Sequence, residues 1–376
     1  MNQFSLSANI ETGFPEGSQY IVTPNAKKVL AEIVNGYQSG IHSYTIIGTY
    51  GTGKSSFLIA LQNDLSGRSK KKYIFDNIDV LGCEKVETLN IVGDYASLPL
   101  LLSRKLNIEG DTASVLDALR AYCSKLNAKN TFLVIMIDEF GKVLEHAAKK
   151  DPESELYFMQ KLAEFANVPT RKVLLLTTLH QNFSAYAKGL SQPQRNEWNK
   201  VNGRFKEVVF VEPVEQILML AARQNNEQEY SLTETEEANL CTLHQLAIDT
   251  KFVSSDFSFE AAKSLYPLDP FSAFSITQAI QRYGQNERSL FSFLQAQGSN
   301  SLKEFKPSDR LTYNLQIVYD YVVYNFYSFL KDANADSMHW RAMKIALERV
   351  EGQSWDSKEM MVDATKIVKT IGMMNL

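Results

Sequence analysis

Cysteine is scarce in this sequence. The three that occur, Cys83, Cys123 and Cys241, lie far apart and form no CxxC pair. Their number and spacing indicate a reducing compartment and argue against a disulfide framework or a cysteine zinc site. The five histidines show neither HExxH nor any other paired spacing, and the sequence contains no GxSxG. Metal-hydrolase and acyl-transfer chemistries therefore find no support in the sequence.

Long apolar runs and an excess of positive charge are also missing. No stretch approaches the roughly 18 uninterrupted apolar residues of a membrane span. The amino terminus, MNQFSLSANIETGF, lacks the basic and apolar regions of a signal peptide. The net charge of −4 gives no general reason to expect nucleic-acid binding. We therefore expect a cytoplasmic protein with no membrane segment.

The sequence does contain an alternation of apolar runs and helical patterns over its first 212 residues. With 376 residues, 44% of them hydrophobic, the chain is long enough for two or three domains. Strands that alternate with helices indicate an α/β fold, a parallel sheet sandwiched by helices. The clearest strand-like runs are Ser43–Gly48, Thr131–Ile137, Lys172–Thr178 and Glu207–Val211.

Helical periodicity dominates after Pro213, which predicts a domain boundary near that residue. A second boundary is predicted near residues 303–309, where SLKEFKPSDR separates two helical groups. The expected organisation is an α/β core over residues 1–212, an all-helical lid over 213–302 and a further helical region over 303–376.

The strongest motif is GTYGTGKS, which fits G-x-x-x-x-G-K-[ST] and lies between a predicted strand and a predicted helix. Its glycines let main-chain N–H groups point at phosphate oxygens, and the helix N-terminus adds partial positive charge. In such a P-loop Lys54 neutralises the β- and γ-phosphates and the Ser55 hydroxyl binds Mg²⁺. The predicted nucleotide-binding residues are Gly48, Thr49, Tyr50, Gly51, Thr52, Gly53, Lys54, Ser55 and Ser56.

A carboxylate pair, Asp138 and Glu139, ends the apolar run TFLVIMI. The carboxyl ends of parallel strands face the crevice in which α/β proteins bind ligands. Asp138 is therefore predicted to hold Mg²⁺, directly or through water, and Glu139 to polarise the water that attacks the γ-phosphate. The alternative is a pair that only caps the next helix. A carboxylate directly after the magnesium ligand suits water as the acceptor and disfavours a kinase.

This order of motifs resembles that of the P-loop ATPases with an inserted central strand, the group that includes the AAA+ and the signalling STAND-type ATPases. The resemblance covers about residues 17–295 and implies ATP rather than GTP, in keeping with the lack of an N/T-K-x-D guanine motif. It also implies a sensor 1 side chain near the γ-phosphate, at the end of the strand VLLLTTLHQN. Thr178 is the first candidate and His180 the second, although the usual asparagine is missing. The alternative is a threonine that only packs on the core.

Three further assignments depend on the same resemblance. The sequence Gly203-Arg204-Phe205 precedes the last core strand, where many AAA+ proteins carry the arginine finger that enters a neighbouring subunit's site. Arg204 would then require a homo-oligomer, and a surface ion pair is the alternative. Arg288, in GQNERSL, resembles the sensor 2 arginine that lies over the nucleotide. Tyr20 and Val22 occupy the place where the family contacts adenine.

Residues 266–294, with YPLDPFSAF and QNERSLFSFL, resemble very large prokaryotic ATPases of anti-phage defence islands. In those proteins several hundred residues follow the ATPase module. We therefore expect this chain to be the N-terminal part of a longer protein.

Three functions agree with the sequence. The first is an AAA+/STAND-type ATPase, a motor or switch whose helical region acts as lid and transmitter. The second is a scaffold that binds ATP with negligible turnover. The third is a DNA translocase or loader, because the region after residue 300 has room for a winged-helix-like module, although no helix rich in lysine and arginine is evident. A protein partner or DNA would contact the helical regions.

Overall fold

The computed structural model describes residues 9–14, 20–67, 72–75, 81–109, 111–225, 232–284, 290–295, 300–306, 312–331 and 336–376. The chain divides into two compact units, Met1–Val211 and Glu212–Leu376. Among the described residues, no helix has the length and apolar character that crossing a membrane requires.

The first unit alternates helices and strands. Its helices are α1 (Pro24–Gln38), α2 (Lys54–Ser66), α3 (Leu98–Leu106), α4 (Thr112–Asn127), α5 (Phe140–Lys149), α6 (Pro152–Ala166) and α7 (Gln192–Asn202). Its strands are β1 (Ser43–Ile47), β2 (Lys85–Val92), β3 (Thr131–Asp138), β4 (Val173–Leu179) and β5 (Lys206–Val209).

The five strands form a parallel sheet in the order β2-β3-β4-β1-β5. Every residue of β3 and β4 is buried, as expected for central strands covered on both faces. Alternate β3 side chains enter two different cores, because successive residues of a strand point to opposite faces. Leu133, Ile135 and Ile137 pack with α3 to α7, and Phe132, Val134 and Met136 pack with α1 and α2. The predicted α/β fold, a sheet sandwiched by helices, is confirmed.

Strand β4 is inserted between β1 and β3, the arrangement that the resemblance implied. In this register Ile47 lies opposite Leu179, and Ile137 lies opposite Thr177. The carboxyl ends of the three strands therefore reach the same edge of the sheet. That edge carries the loop after β1 and the Asp138–Glu139 turn.

Two helix starts show why the elements begin where they do. Thr23 caps α1, its hydroxyl accepting from the Ala26 N–H at 3.0 Å, and Pro24 follows at the first helical position. In the second unit, Thr233 and Glu236 stand at the start of the helix Glu234–Asp249, where the side chain of each accepts from the backbone N–H of the other.

The second unit is built from helices. They are α8 (Val214–Asn225), α9 (Glu234–Asp249), α10 (Phe259–Ser264), α11 (Pro270–Tyr283), α12 (Leu290–Gln295), α13 (Leu315–Lys331), α14 (Ser337–Gly352) and α15 (Lys358–Met374). One hydrophobic core draws on residues from Ile217 to Met373 and so includes side chains from both sides of residue 303. The predicted division at that residue stays a prediction.

Candidate active site

The loop after β1 has the backbone that phosphate binding needs. Gly51 and Gly53 have positive φ angles of 73° and 90°, which side-chain-bearing residues rarely adopt. A Cβ on Gly48 would lie 2.1 Å from the carbonyl oxygen of Phe210, so the close approach of the chain after β5 requires glycine there. Helix α2 starts at Lys54 without a side-chain cap. Its first N–H groups therefore remain available to an anion.

Lys54 is held inside this loop. Its side chain is buried, and Nζ donates hydrogen bonds to the carbonyl oxygens of Gly48 at 2.6 Å and Thr49 at 2.8 Å. Burial lowers the pKa of Lys54 to about 8, and the carboxylates of Asp138 and Glu139 oppose that shift. Phosphate oxygens can replace the two carbonyl acceptors and add a full negative charge.

Asp138 is the last residue of β3, and only 3% of its surface is exposed. Its Oδ1 accepts hydrogen bonds from the Thr178 hydroxyl at 2.5 Å and from the Glu139 N–H at 3.1 Å. The Glu139 N–H also donates to Thr178 Oγ1 at 3.0 Å. Thr178 therefore uses its hydrogen to hold the Asp138 carboxylate. Its predicted contact with the γ-phosphate stays a prediction.

Glu139 follows in the left-handed region, with φ of 53°, at the N-cap position of α5, where its side chain forms no capping hydrogen bond. Such a conformation is uncommon for a residue with a side chain. Its carboxylate forms an ion pair with Lys142, three residues further along the chain. Gly93, after β2, donates its N–H to the Asp138 carbonyl oxygen at 2.7 Å. A Cβ at Gly93 would lie 2.4 Å from the Glu139 carbonyl oxygen.

The P-loop and the end of β4 meet through two rings. Tyr50 stacks on His180 with ring centroids 3.4 Å apart and an angle of 20° between the planes. Burial, with the nearby ammonium groups of Lys54 and Lys142, lowers the pKa of His180 to about 3. The imidazole is therefore neutral at neutral pH. Its Nδ1 is shielded from solvent and has no hydrogen-bond partner among the described residues.

The structure thus brings together most of the residues that the sequence predicted. Ser55 and Ser56, half-buried, start α2 beside Lys54, and buried Thr52 donates its hydroxyl hydrogen to the Thr49 carbonyl oxygen at 2.8 Å. Gly93 and Lys142 were not predicted. The signal for Gly93 was a glycine that directly follows a strand-like run, as Gly48 does.

Arg204 lies at the end of β1 that is opposite to the P-loop. Its backbone carbonyl accepts from the hydroxyl of Ser43, the first residue of β1, at 2.7 Å. The P-loop begins at the other end of β1, roughly 13 Å away at about 3.3 Å per residue. The guanidinium is partly exposed and pairs with Glu164 at 2.9 Å. Arg204 is therefore remote from its own P-loop.

The adenine and sensor 2 assignments concern Tyr20, Val22 and Arg288. The rings next to Tyr20 are Phe14, at 6.0 Å between centroids, and Tyr73, at 6.2 Å. Val22 is half-buried. Arg288 lies outside the described residues. These three assignments stay predictions.

No protein-family model matches the chain, and no curated protein matches it. It is similar to the ADP form of the Aeropyrum pernix ORC2 protein, with 13% identity and a TM-score of 0.42 over 95% of this chain and 82% of that chain. C. elegans PCH-2 has 13% identity and a TM-score of 0.40 over 82% and 70%. AMPPCP-bound DnaA from Aquifex aeolicus has 12% identity and a TM-score of 0.32 over 96% and 97%. At these values the likeness carries no argument about function.

Proposed function

We propose that this chain is an ATPase of the AAA+/STAND type, which binds ATP with Mg²⁺ at the carboxyl edge of its sheet and hydrolyses it. One observation carries the proposal. The register of β1, β4 and β3 brings a complete P-loop and the Asp138–Glu139 turn to the same edge. If the Asp138–Glu139 pair only capped α5, no P-loop would be needed at that edge.

The donor set suits Mg²⁺, which prefers oxygen ligands and keeps part of its water shell. Ser55 offers a hydroxyl and Asp138 a carboxylate whose Oδ1 already accepts two hydrogen bonds, so Oδ2 would be the oxygen that holds the ion. When bound, Mg²⁺ neutralises charge on the phosphates.

The chain's own residues would divide the remaining work. The P-loop N–H groups and Lys54 orient the phosphates, and Glu139 accepts a proton from the attacking water. His180 and Tyr50 cover the site from the β4 side, where the neutral imidazole can donate one hydrogen bond without adding charge.

Two variants test this proposal in a phosphate-release assay combined with fluorescent-ATP binding. Lys54→Ala is expected to lose ATP binding. Glu139→Gln is expected to keep binding and to lower kcat by about 100-fold or more, the usual contribution of a general base. Glu153→Gln, an exposed carboxylate on α6, is the matched control. A wild-type chain that binds ATP but shows no turnover, with or without DNA, would instead support the scaffold function.

Arg204 is proposed to act on a neighbouring copy in a homo-oligomer, since its position excludes its own P-loop. Mixing Arg204→Ala with Lys54→Ala chains tests this, because only a mixed interface combines an intact P-loop with an intact arginine. An ATPase activity of the mixture that exceeds the sum of the two separate variants supports Arg204 as an arginine finger. Activity equal to that sum refutes it, and Arg195→Ala, exposed on α7, is the control.

The helical second unit is proposed to act as lid and transmitter towards a protein partner or DNA, in the cytoplasm. A role in anti-phage defence stays a prediction that rests on the sequence resemblance alone.

A further inference from the structure

The middle of the P-loop is tied to β4 by the side chain of Tyr50. Within the loop, Thr52 and Lys54 donate hydrogen bonds to the carbonyl oxygen of Thr49, so these contacts stay inside the loop itself. Tyr50 instead reaches the residue that follows β4 and stacks on the ring of His180, with ring centroids 3.4 Å apart. The stack therefore joins the loop to a different strand of the sheet.

His180 is itself held in place. Its backbone forms a hydrogen bond with the hydroxyl of Tyr186, a side chain that is 8% exposed. A Cβ on Gly141 would lie 2.3 Å from that hydroxyl, so Tyr186 packs tightly against the first turn of α5. The imidazole therefore offers Tyr50 a flat surface that is fixed by two neighbouring elements.

The ring face of His180 makes the contact with the loop. The imidazole is neutral, because burial and the ammonium groups of Lys54 and Lys142 lower its pKa to about 3. Its Nδ1 is shielded from solvent and has no hydrogen-bond partner among the described residues. A stacked pair of neutral rings is stabilised by buried area and dispersion. Another flat, neutral ring of similar size would therefore replace the imidazole in this contact.

The P-loop benefits from such a support because its backbone is costly to order. Gly51 and Gly53 have positive φ angles, and glycine loses more conformational freedom on folding than any other residue. A loop that is ordered before its ligand arrives avoids this cost at binding, which raises affinity. Tyr50 directly precedes Gly51, so fixing its ring restrains the backbone beside the first of these glycines.

We propose that the Tyr50–His180 stack preorganises the P-loop, with His180 as a positioning residue that raises the affinity for ATP and ADP through Tyr50. The inference rests on the proposed function, in which this loop binds ATP. An aromatic pair contributes enough to change a dissociation constant by about 2- to 13-fold. Loss of the stack should weaken both nucleotides by the same factor, because the N–H groups of a P-loop hold the α- and β-phosphates that ATP and ADP share.

The test measures the dissociation constants of fluorescent ATP and ADP, together with kcat, for three variants of His180. His180→Ala removes the ring and is expected to weaken both nucleotides by about 2- to 13-fold with little change in kcat. His180→Phe keeps a flat ring and is expected to recover both affinities. His180→Asn keeps a polar group without a ring and is expected to resemble His180→Ala. His146→Ala is the matched control, because its ring packs against Tyr95, at 5.3 Å between centroids.

A direct contact of His180 with the γ-phosphate predicts the opposite pattern. ATP binding would then weaken more than ADP binding, and His180→Asn would recover the affinity that His180→Phe does not. That result overturns the inference, as does a His180→Ala chain that binds both nucleotides as tightly as wild type. The ATPase function survives either result. If wild type binds neither nucleotide, the inference and the proposed function fail together.

Tyr50→Leu removes the same stack from the side of the loop and covers the case in which a His180 variant does not fold. It is expected to weaken ATP and ADP by the same factor as His180→Ala. The double variant should bind no more weakly than either single variant, because both substitutions remove one contact. Losses that multiply in the double variant overturn the inference, since each side chain would then act on the nucleotide by itself.

Discussion

Replacement of Thr178 with valine tests how the Asp138–Glu139 turn is held. The Thr178 hydroxyl donates to Asp138 Oδ1 at 2.5 Å and accepts from the Glu139 N–H at 3.0 Å. Valine keeps the shape of the side chain and removes both contacts. The Glu139 N–H keeps Asp138 Oδ1 as an acceptor at 3.1 Å. The main loss is therefore the hydrogen bond to a carboxylate that is 3% exposed.

A hydrogen bond to a charged group contributes about 1.5–3 kcal/mol. We therefore expect Thr178→Val to lower the unfolding free energy of the first unit by about 2 kcal/mol in the absence of nucleotide. Loss of a group that orients a metal ligand lowers metal affinity or activity by about 10- to 100-fold. A corresponding fall in Mg²⁺-dependent ATP turnover is expected.

Urea unfolding measures the first effect through the fluorescence of Trp198, which is buried in the first unit. Trp340→Phe and Trp355→Phe are introduced into every chain compared, so that the signal comes from one tryptophan. Thr178→Ser restores the hydroxyl and is expected to recover most of the stability and activity. Thr177→Val is the matched control. The hydroxyl groups of Thr177 and Thr45 form a hydrogen bond at 3.0 Å. Thr177→Val should therefore lower the unfolding free energy without a change in the Mg²⁺ dependence of turnover.

A role for Thr178 at the nucleotide gives a different result. A side chain that contacts only the γ-phosphate contributes nothing to the stability of the nucleotide-free chain. If Thr178→Val loses turnover and unfolds at the same urea concentration as its parent, the positioning argument is refuted and the sensor 1 assignment is supported.

Three further predictions follow from single contacts. Gly93→Ala places a Cβ 2.4 Å from the Glu139 carbonyl oxygen and is expected to lower kcat while ATP binding persists; equal loss of both would contradict this. Lys54 needs its proton to bind phosphate, and its pKa is about 8. ATP affinity should therefore fall as pH rises through that value. Fluorescent-ATP titrations that give the same affinity below and above it would contradict this. Asp64→Ala removes the acceptor of three backbone N–H groups, at residues 73–75, and is expected to cost about 3 kcal/mol or more in urea unfolding; a loss below about 1 kcal/mol would contradict this.

The sheet was predictable where the strands are apolar along their whole length. In β3 and β4 every residue is buried, so their composition alone marked them as central. Helix α7 was not predicted, because of its eleven residues only Trp198 and Val201 are buried. A helix that buries so little has too weak an apolar period to be recognised in one sequence.

The predicted parts of the site are local motifs, and the unpredicted parts are contacts between strands. The P-loop is a local motif, so its chemistry can be recognised from consecutive residues. The Thr178–Asp138 hydrogen bond depends on the pairing of β3 with β4, which places Ile137 opposite Thr177. The contact between Gly93 and the turn depends in the same way on the pairing of β2 with β3. Contacts across a sheet follow from register, which one sequence does not specify.

The charged groups at this edge of the sheet have internal partners in the structure. Lys54 donates to two carbonyl oxygens, Asp138 accepts from Thr178, and Glu139 pairs with Lys142. Lys54 and Asp138 are buried, and a buried charge without a partner would be costly, so the folded chain needs their contacts. In the proposed function, binding of ATP would therefore exchange partners at Lys54 instead of adding contacts to free groups. Only the difference between old and new contacts would then contribute to affinity, so the carbonyl partners of Lys54 help to set it.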